Sequence, residues 1–100
     1  MNKIKHEDLI AFHPGYYINE IIEELGMSLA ELTRRLDITE NTVRQLIDGE
    51  INLTWEISSK LNNIFGISTD MWVNLNKSYI EKRQEIEEKK KASKHRINFP

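Results

Sequence analysis

Residues 28–49 read SLAELTRRLDITENTVRQLIDG, and the spacing of the apolar side chains in this stretch decides the fold. These side chains form two groups with helical spacing: Leu29, Leu32 and Leu36, then Val43, Leu46 and Ile47. Ser28 followed by Glu31 is a capping box at the start of the first helix, and Thr39 is a typical N-cap for the second. Only residues 36–38 join the two helices, which is too short for an antiparallel hairpin and favours a steep crossing. The stretch therefore predicts two short, crossed helices.

Three more helices are predicted on either side of this pair. The segment His13-Pro14-Gly15 begins one of them, with His13 as its cap. Thr54 begins another, and Ser68 or Thr69 begins the last. The predicted core comprises the apolar residues on the inner helix faces: Ile18, Ile22, Leu32, Leu36, Val43, Leu46, Leu61, Ile64 and Trp72. The predicted fold class is therefore all-α, with about five helices and no more than a short strand at the N-terminus.

The charge is unevenly distributed along the chain. Residues 1–80 hold 7 Lys and Arg against 12 Asp and Glu, whereas residues 81–100 hold 7 against 4. A nucleic-acid-binding protein usually carries a basic surface, because neutralisation of phosphates supplies most of its non-specific affinity. DNA binding by this chain would therefore depend on a local patch, on dimerisation or on the basic tail.

The apolar pattern ends at Glu81, and Ile86 is the one aliphatic residue of residues 81–91. This pattern predicts a solvated helix that projects from the domain, followed by a tail with two apolar residues, Ile97 and Phe99. The lysine-rich run of residues 89–94 is either a solvated end or an arm that contacts the DNA backbone. The predicted organisation is an N-terminal segment at residues 1–12, a helical domain at residues 13–80, and a charged C-terminal helix and tail at residues 81–100.

Several functional classes are excluded by composition. The chain has no cysteine, so it has no disulfide framework and no thiolate metal site. It has neither the apolar run of about 18 residues that crosses a membrane nor a secretory signal, so we expect a cytoplasmic protein without a membrane partner. The three histidines, His6, His13 and His95, are too dispersed for a metal site. Because no arrangement of nucleophile and base and no phosphate-binding glycine loop is present, the sequence predicts a non-enzymatic protein without a cofactor.

The outer face of the helix from about Thr39 to Asp48 carries the residues that indicate a function. This face comprises Glu40, Asn41, Arg44, Gln45 and Asp48. Asn and Gln side chains bond adenine with two hydrogen bonds, and Arg bonds guanine in the same way. They lie in the first half and the middle of the helix, where a recognition helix meets the major groove. A solvated helix face of no function has a similar composition, but the capping box and the tight turn favour a DNA-reading helix.

These residues resemble the helix-turn-helix of the XRE/phage-repressor superfamily. The flanks narrow the resemblance to HigA-type antitoxins, because His13-Pro14-Gly15 lies ahead of the pair and the segment FGISTDMWVNLN, residues 65–76, lies behind it. The resemblance covers roughly residues 13–80 and implies a lambda-repressor-like fold. Leu29 departs from the family pattern, which usually has a phosphate-binding Gln at this position, and Thr33 and Asp37 replace the usual Ala and Gly.

The resemblance implies a homodimeric repressor that binds a palindromic operator of its own operon. It also implies a protein partner, a ribosome-dependent, mRNA-cleaving toxin of the RelE type. Carried over by motif position, the base-reading residues are Glu40, Asn41 and Gln45, while Thr39 and Arg44 lie where contact with a phosphate or a base is expected. Trp72 is expected in the core, whereas Trp55 is a candidate for a dimer seam, because aromatic residues are enriched in interfaces.

Two alternatives of other kinds stay open. The first is a protein-interaction module that has the helical fold but has lost specific DNA binding, which the acidic residues 1–80 and Leu29 favour. The second is a stand-alone XRE-type regulator without a toxin. Asn41, Arg44 and Gln45 argue against the first alternative.

Overall fold

A computed structural model describes residues 2–97 of the chain and the side chains of residues 2–92. Within this part of the chain, a β-hairpin precedes five helices. The elements are β1 (Lys3–His6), β2 (Leu9–Phe12), α1 (Pro14–Leu25), α2 (Leu29–Leu36), α3 (Glu40–Ile47), α4 (Trp55–Phe65) and α5 (Thr69–Ile97). The predicted helical class with five helices is confirmed. The side chains of His95 and Ile97, and all of Phe99, lie outside the described part.

Hydroxyl caps begin four of the helices, as the sequence predicts for each. The side-chain oxygens of Ser28, Thr39, Thr54 and Ser68 each accept a backbone N–H three residues later, at 3.1 Å. The capping box at Ser28 is only half formed, because the carboxylate of Glu31 turns away from the N-terminus. It accepts instead from two guanidinium groups on the next turn, and such charge-assisted hydrogen bonds are stronger than one to a neutral backbone N–H.

The hydrophobic core lies between the helices and contains the residues that the sequence predicts. Eight of the nine predicted core residues are buried, and Ile64 is partly buried against them. Trp72 is fully buried, with its ring 6.5 Å from that of Phe65. The helical periodicity alone therefore locates the core.

The N-terminus of α1 packs directly on the C-terminus of α3. At Gly15 a Cβ atom would lie 2.7 Å from the carbonyl oxygen of Ile47 and would also collide with that of Leu46. Only glycine allows this approach, because a backbone atom cannot move aside as the end of a side chain can. The side-chain amide of Asn2 donates to the same Ile47 carbonyl at 3.2 Å. The end of α3 is thus held by the first residues of the chain.

His13 completes this junction through both ring nitrogens. Its Nδ1 accepts the backbone N–H of Gly15 at 2.8 Å, which confirms the predicted cap. Its Nε2 lies 2.7 Å from the carbonyl oxygen of Ile51, to which it donates in the neutral form. The ring is fully buried and lies edge-on to the ring of Tyr79, with 5.0 Å between the centroids. One imidazole therefore joins α1, the loop after α3, and α5.

The N-terminal segment and α5 differ from the sequence prediction. The first twelve residues contain two strands rather than at most one, paired antiparallel with Lys3 opposite Phe12. The hairpin packs on α5, where Ile86 is fully buried with Ala11 and Tyr79 in a second, smaller cluster. The prediction that residues 81 onward have no buried side is therefore wrong, because the hairpin supplies the partner that Ile86 needs.

The free energy of unfolding should decrease as pH is lowered, because His13 takes up a proton more readily in the unfolded chain than in the folded protein. Burial lowers the pKa of His13 more than its hydrogen bond to Ile51 raises it, while the unfolded chain titrates near 6.5. Below about pH 6.5 the unfolded chain therefore takes up the proton first, and the folded state loses up to about 1.4 kcal/mol per pH unit from this one group. Urea unfolding at pH 7.5 and 5.5 measures the effect.

The control for this prediction is His13→Asn, which keeps a side-chain acceptor suited to an N-cap but does not titrate. It shares all other titrating groups with the natural chain, so the difference between the two pH dependences isolates His13. We expect the smaller loss in the variant. Equal losses in the two proteins would contradict the role of the neutral imidazole.

Ile86→Ala should lower the free energy of unfolding by about 2 kcal/mol, because the lost methyl groups leave a void between α5 and the hairpin. Glu87→Ala, at the exposed neighbouring position, should change it by no more than about 0.5 kcal/mol. Urea unfolding followed by circular dichroism measures both. A loss at Ile86 no larger than that at Glu87 would mean that this part of α5 contributes nothing to the fold.

Candidate nucleic-acid interface

Helix α3 presents one buried and one exposed face. Val43 and Leu46 are fully buried, and they fix the rotation of the helix about its axis. Glu40, Asn41 and Arg44 are exposed on the other side. Of the remaining predicted site residues, Thr39 is exposed at the N-terminus of α3 and Gln45 is partly buried. The structure thus brings the five predicted residues together along one short helix.

Asn41 and Gln45 are the residues that remain available for an outside partner. Within the described part of the chain, no side-chain hydrogen bond engages either amide group, and the two residues lie one turn apart on α3. Each amide carries both a donor and an acceptor, which is the requirement for a pair of hydrogen bonds to the edge of adenine. The arrangement can read two positions along a groove.

Thr39 has a structural task that the resemblance does not predict. Its hydroxyl accepts the backbone N–H of Thr42 at 3.1 Å and shares a hydrogen bond of 2.7 Å with the Thr42 hydroxyl. The hydroxyl therefore stabilises the first turn of α3. The two hydrogen bonds of the Thr39 hydroxyl thus keep the exposed N-terminus of α3 helical.

The turn between α2 and α3 depends on residues outside the motif. Asp37 ends α2 in the left-handed conformation, with φ at 53°, as the sequence predicts for this residue type. The ammonium group of Lys60, from α4, donates to the carbonyl oxygen of Leu36 at 2.8 Å. A cation at the C-terminus of a helix is favoured by the helix dipole, so Lys60 supports the turn. Sequence reasoning missed this contact, because the two residues are 24 positions apart.

All three arginines of residues 28–49 are bound to carboxylates of the same stretch. Arg44 donates to Glu40 at 2.8 Å, one turn back along α3. Arg34 and Arg35 both donate to Glu31, at 2.7 and 2.8 Å, and these two hydrogen bonds hold the pKa of Glu31 below its usual value. The arginines are 45–71% exposed, so each ion pair contributes little to stability and exchanges readily for another anion.

Leu29 offers no polar group to an anion. It is partly buried against the core at the first position of α2.

In the described residues, no group of three or more His, Cys, Asp or Glu is arranged to hold a metal ion. No helix of this part is long and apolar enough to span a bilayer.

Comparison with known protein families gives a match over more than half of the chain. The model of a family described as "Helix-turn-helix" matches residues 18–72. An uncharacterized HTH-type transcriptional regulator of Escherichia coli K12, YddM, is 38% identical over 66 residues, which are 66% of this chain and 70% of that protein. An uncharacterized HTH-type transcriptional regulator of Haemophilus influenzae is 29% identical over 56% of this chain and 52% of its own length.

Solved structures share the fold over nearly the whole chain. An addiction module antidote protein of the HigA family from Coxiella burnetii superposes with a TM-score of 0.73 and 27% identity, covering 90% of this chain and 96% of its own. The Pseudomonas aeruginosa antitoxin HigA, solved with the higBA promoter, superposes with a TM-score of 0.66 and 24% identity, covering 88% and 91%.

Thr39→Ala should lower the free energy of unfolding by about 1 kcal/mol, because the first turn of α3 loses its cap. Thr39→Ser, which keeps the hydroxyl, should lose clearly less. Urea unfolding of the two variants beside the natural chain measures the difference. Equal losses in the two variants would mean that the hydroxyl is not what stabilises the helix start.

Proposed function

This chain belongs to the helix-turn-helix family of XRE type, a family of non-enzymatic DNA-binding regulators, and from that premise we propose that it is a transcriptional repressor and the antitoxin of a toxin–antitoxin pair. In this proposal the chain binds a palindromic operator as a homodimer and silences an mRNA-cleaving toxin of the RelE type. We assign the DNA-binding function to residues 13–80 and a supporting role to residues 1–12, while the charged residues from position 81 onward continue α5 as far as Ile97.

The observation that carries the DNA-binding proposal is the outer face of α3. Asn41 and Gln45 present amide groups that have no hydrogen bond within the described chain, while Val43 and Leu46 hold the helix in one orientation. We therefore assign base reading to Asn41 and Gln45. Arg44 is assigned to a phosphate or a guanine, and Thr39 to the first turn that positions them.

Glu40 lies among the base-reading residues but carries the wrong charge for a phosphate. Its carboxylate holds Arg44 at 2.8 Å, so Arg44 must exchange this carboxylate for an anion of the DNA. We infer that the negative charge of Glu40 weakens binding to DNA of any sequence. Where the site has a cytosine opposite Glu40, the carboxylate accepts a hydrogen bond from its amino group, which offsets the repulsion. It thereby favours specific over non-specific sites.

The charge balance supports binding as a dimer. Residues 1–80 carry more acidic than basic groups, so one copy lacks the basic surface that gives non-specific affinity. Two copies on a palindrome double the number of base contacts without adding a basic surface. Half-sites should then lie about one helical turn apart, ~34 Å.

The antitoxin proposal rests on the HigA-type fold and on the acidic character of residues 1–80. A protein that cleaves RNA needs a basic surface for its substrate, and an acidic partner complements such a surface. A short, basic reading frame of about a hundred residues beside this gene would support the pairing. Co-purification of the two products from one co-expressing strain tests it directly.

A protein-interaction module without specific DNA binding is the second candidate function. The pairing of all three motif arginines with internal carboxylates favours it, as does the apolar Leu29 at the start of α2. Replacement of Asn41 and Gln45 by alanine would leave the affinity of such a module for its protein partner unchanged. The DNA experiment below separates it from a repressor.

Asn41→Ala and Gln45→Ala should each cost about 1–3 kcal/mol of operator binding and relax the base preference at one position of each half-site. Glu40→Gln should instead tighten binding to DNA of any sequence, because a repulsive charge leaves the groove. Gel-shift titrations against the DNA upstream of the gene, and against a scrambled duplex at the same salt concentration, measure both effects.

The matched control is Asn63→Ala, which removes an exposed amide from α4 and should leave operator binding unchanged. If Asn41, Arg44 and Gln45 are all replaceable without effect on a sequence-specific complex, α3 is not the reading helix. If the natural chain forms no specific complex with DNA at low salt, the result supports the second candidate function, a protein-interaction module without specific DNA binding.

A further inference from the structure

A small groove lies between α1, the start of α2 and the end of α3, and has a volume of about 270 Å³. Pockets for drug-sized ligands start at about 300 Å³, so a groove of this size suits a molecule smaller than a nucleotide. It is lined by residues of three helix segments: Asn19, Ile22, Leu29, Arg44, Ile47 and Asp48. We call this surface the Leu29 groove.

The wall of the Leu29 groove is aliphatic. Ile22 is buried in the main core, and Leu29 and Ile47 are partly buried against that core. Leu29 and Ile47 therefore keep part of their apolar surface in water. A ligand with an aliphatic body would remove this surface from water, and the hydrophobic effect favours such binding.

Both signs of charge lie beside this aliphatic wall. Arg44 lies on α3, and Asp48 follows one turn later at the end of the helix, about 6 Å further along its axis. The guanidinium group of Arg44 donates to Glu40 and not to Asp48. Within the described part of the chain, Asp48 takes part in no ion pair. The groove thus offers a carboxylate without a cation and a guanidinium group whose exposed ion pair exchanges readily.

A free α-amino acid carries the complementary groups on a single carbon atom. Its carboxylate can accept two hydrogen bonds from the guanidinium group of Arg44, and its ammonium group can donate to the carboxylate of Asp48. The amide of Asn19, on the opposite side of the groove, can both donate and accept. Its present hydrogen bond to Glu23 is long, at 3.3 Å. An amino acid within a peptide has lost at least one of its two charges, so the groove favours the free molecule.

We propose that the Leu29 groove binds a free α-amino acid with an aliphatic side chain. The carboxylate of the ligand binds Arg44, its ammonium group binds Asp48, and its side chain lies against the aliphatic wall. Arg44 exchanges the carboxylate of Glu40 for that of the ligand. Because the ion pair that is given up is exposed, this exchange costs little.

The amino acid acts as a regulator of DNA binding, and this part of the inference rests on the proposed function, which assigns Arg44 to the DNA. A ligand that occupies Arg44 removes this contact from the operator complex. The ligand and the operator then weaken the binding of each other by the same factor. The protein therefore binds its operator most tightly when the amino acid is scarce.

Isothermal titration calorimetry of the natural chain with L-leucine, L-isoleucine and L-valine, without DNA, tests the site. We expect a dissociation constant on the order of 0.1–1 mM for the best of the three, because the ligand is small and its charges meet exposed partners. Isocaproate, which is leucine without its amino group, and isoamylamine, which is leucine without its carboxyl group, should each bind at least about ten-fold more weakly than leucine. No saturable binding of any of the three amino acids overturns the proposal, as do equal affinities for leucine and the two one-charge molecules.

Two variants separate the two charged contacts. Asp48→Asn should weaken the binding of leucine at least about ten-fold without weakening that of isocaproate, which has no ammonium group. Arg44→Gln should weaken the binding of both. The matched control is Glu24→Gln, which removes an exposed carboxylate of α1 that does not line the groove and should leave the affinity for leucine unchanged. An Asp48→Asn protein that binds leucine as the natural chain does contradicts the proposed site.

Gel shifts with and without a saturating concentration of the amino acid test the regulation separately. Leucine should weaken the operator complex of the natural chain, and at the same concentration it should have a smaller effect on that of Asp48→Asn. An operator complex that leucine leaves unchanged contradicts the competition for Arg44. If no operator complex forms at all, the proposed function fails, whereas the calorimetry without DNA still decides whether the Leu29 groove binds an amino acid.

Discussion

The junction of His13 and Gly15 with the end of α3 is the constraint on which the rest of this structure depends. Gly15 brings the backbone of α1 against the carbonyl groups of Leu46 and Ile47, closer than any other residue permits. The imidazole of His13 then ties the same point to Ile51 and to Tyr79 on α5. The C-terminus of α3 is thereby held from three directions, whereas its N-terminus is held by its own hydroxyl cap. A helix fixed in this way keeps its outer face in one orientation before any partner arrives.

Much of this architecture follows from local patterns in the sequence. Helix starts at Ser28, Thr39 and Thr54, and the residues of the main core, are encoded within a few positions of where they act. The failures involve contacts between distant segments. Ile86 has no apolar neighbour on its own helix turn, and its burial depends on a hairpin whose strands are four residues each, too short for a clear alternation. The capping box at Ser28 is only half formed because two arginines compete for the carboxylate of Glu31.

The candidate site was predictable in position but not in its internal contacts. The spacing of Val43 and Leu46 places Asn41 and Arg44 on the outer face, and the structure has them there. The sequence predicts that the Thr39 hydroxyl caps α3, but it does not indicate that Lys60 supports the preceding turn across 24 positions. The motif is thus an acidic helix pair whose cations are already occupied. For the proposed complex with DNA, we therefore expect specificity to come from hydrogen-bonding groups more than from charge.

The two indoles of the chain lie in opposite surroundings, and this has a spectroscopic consequence. Trp72 is fully buried beside Phe65, whereas Trp55 is 64% exposed at the start of α4. Emission from the folded protein is therefore the sum of a short-wavelength component from the interior and a long-wavelength component in contact with water. A dissolved quencher such as iodide reaches the second component and not the first. Intrinsic fluorescence thus reports loss of the fold through one residue and events at the surface through the other, without any added label.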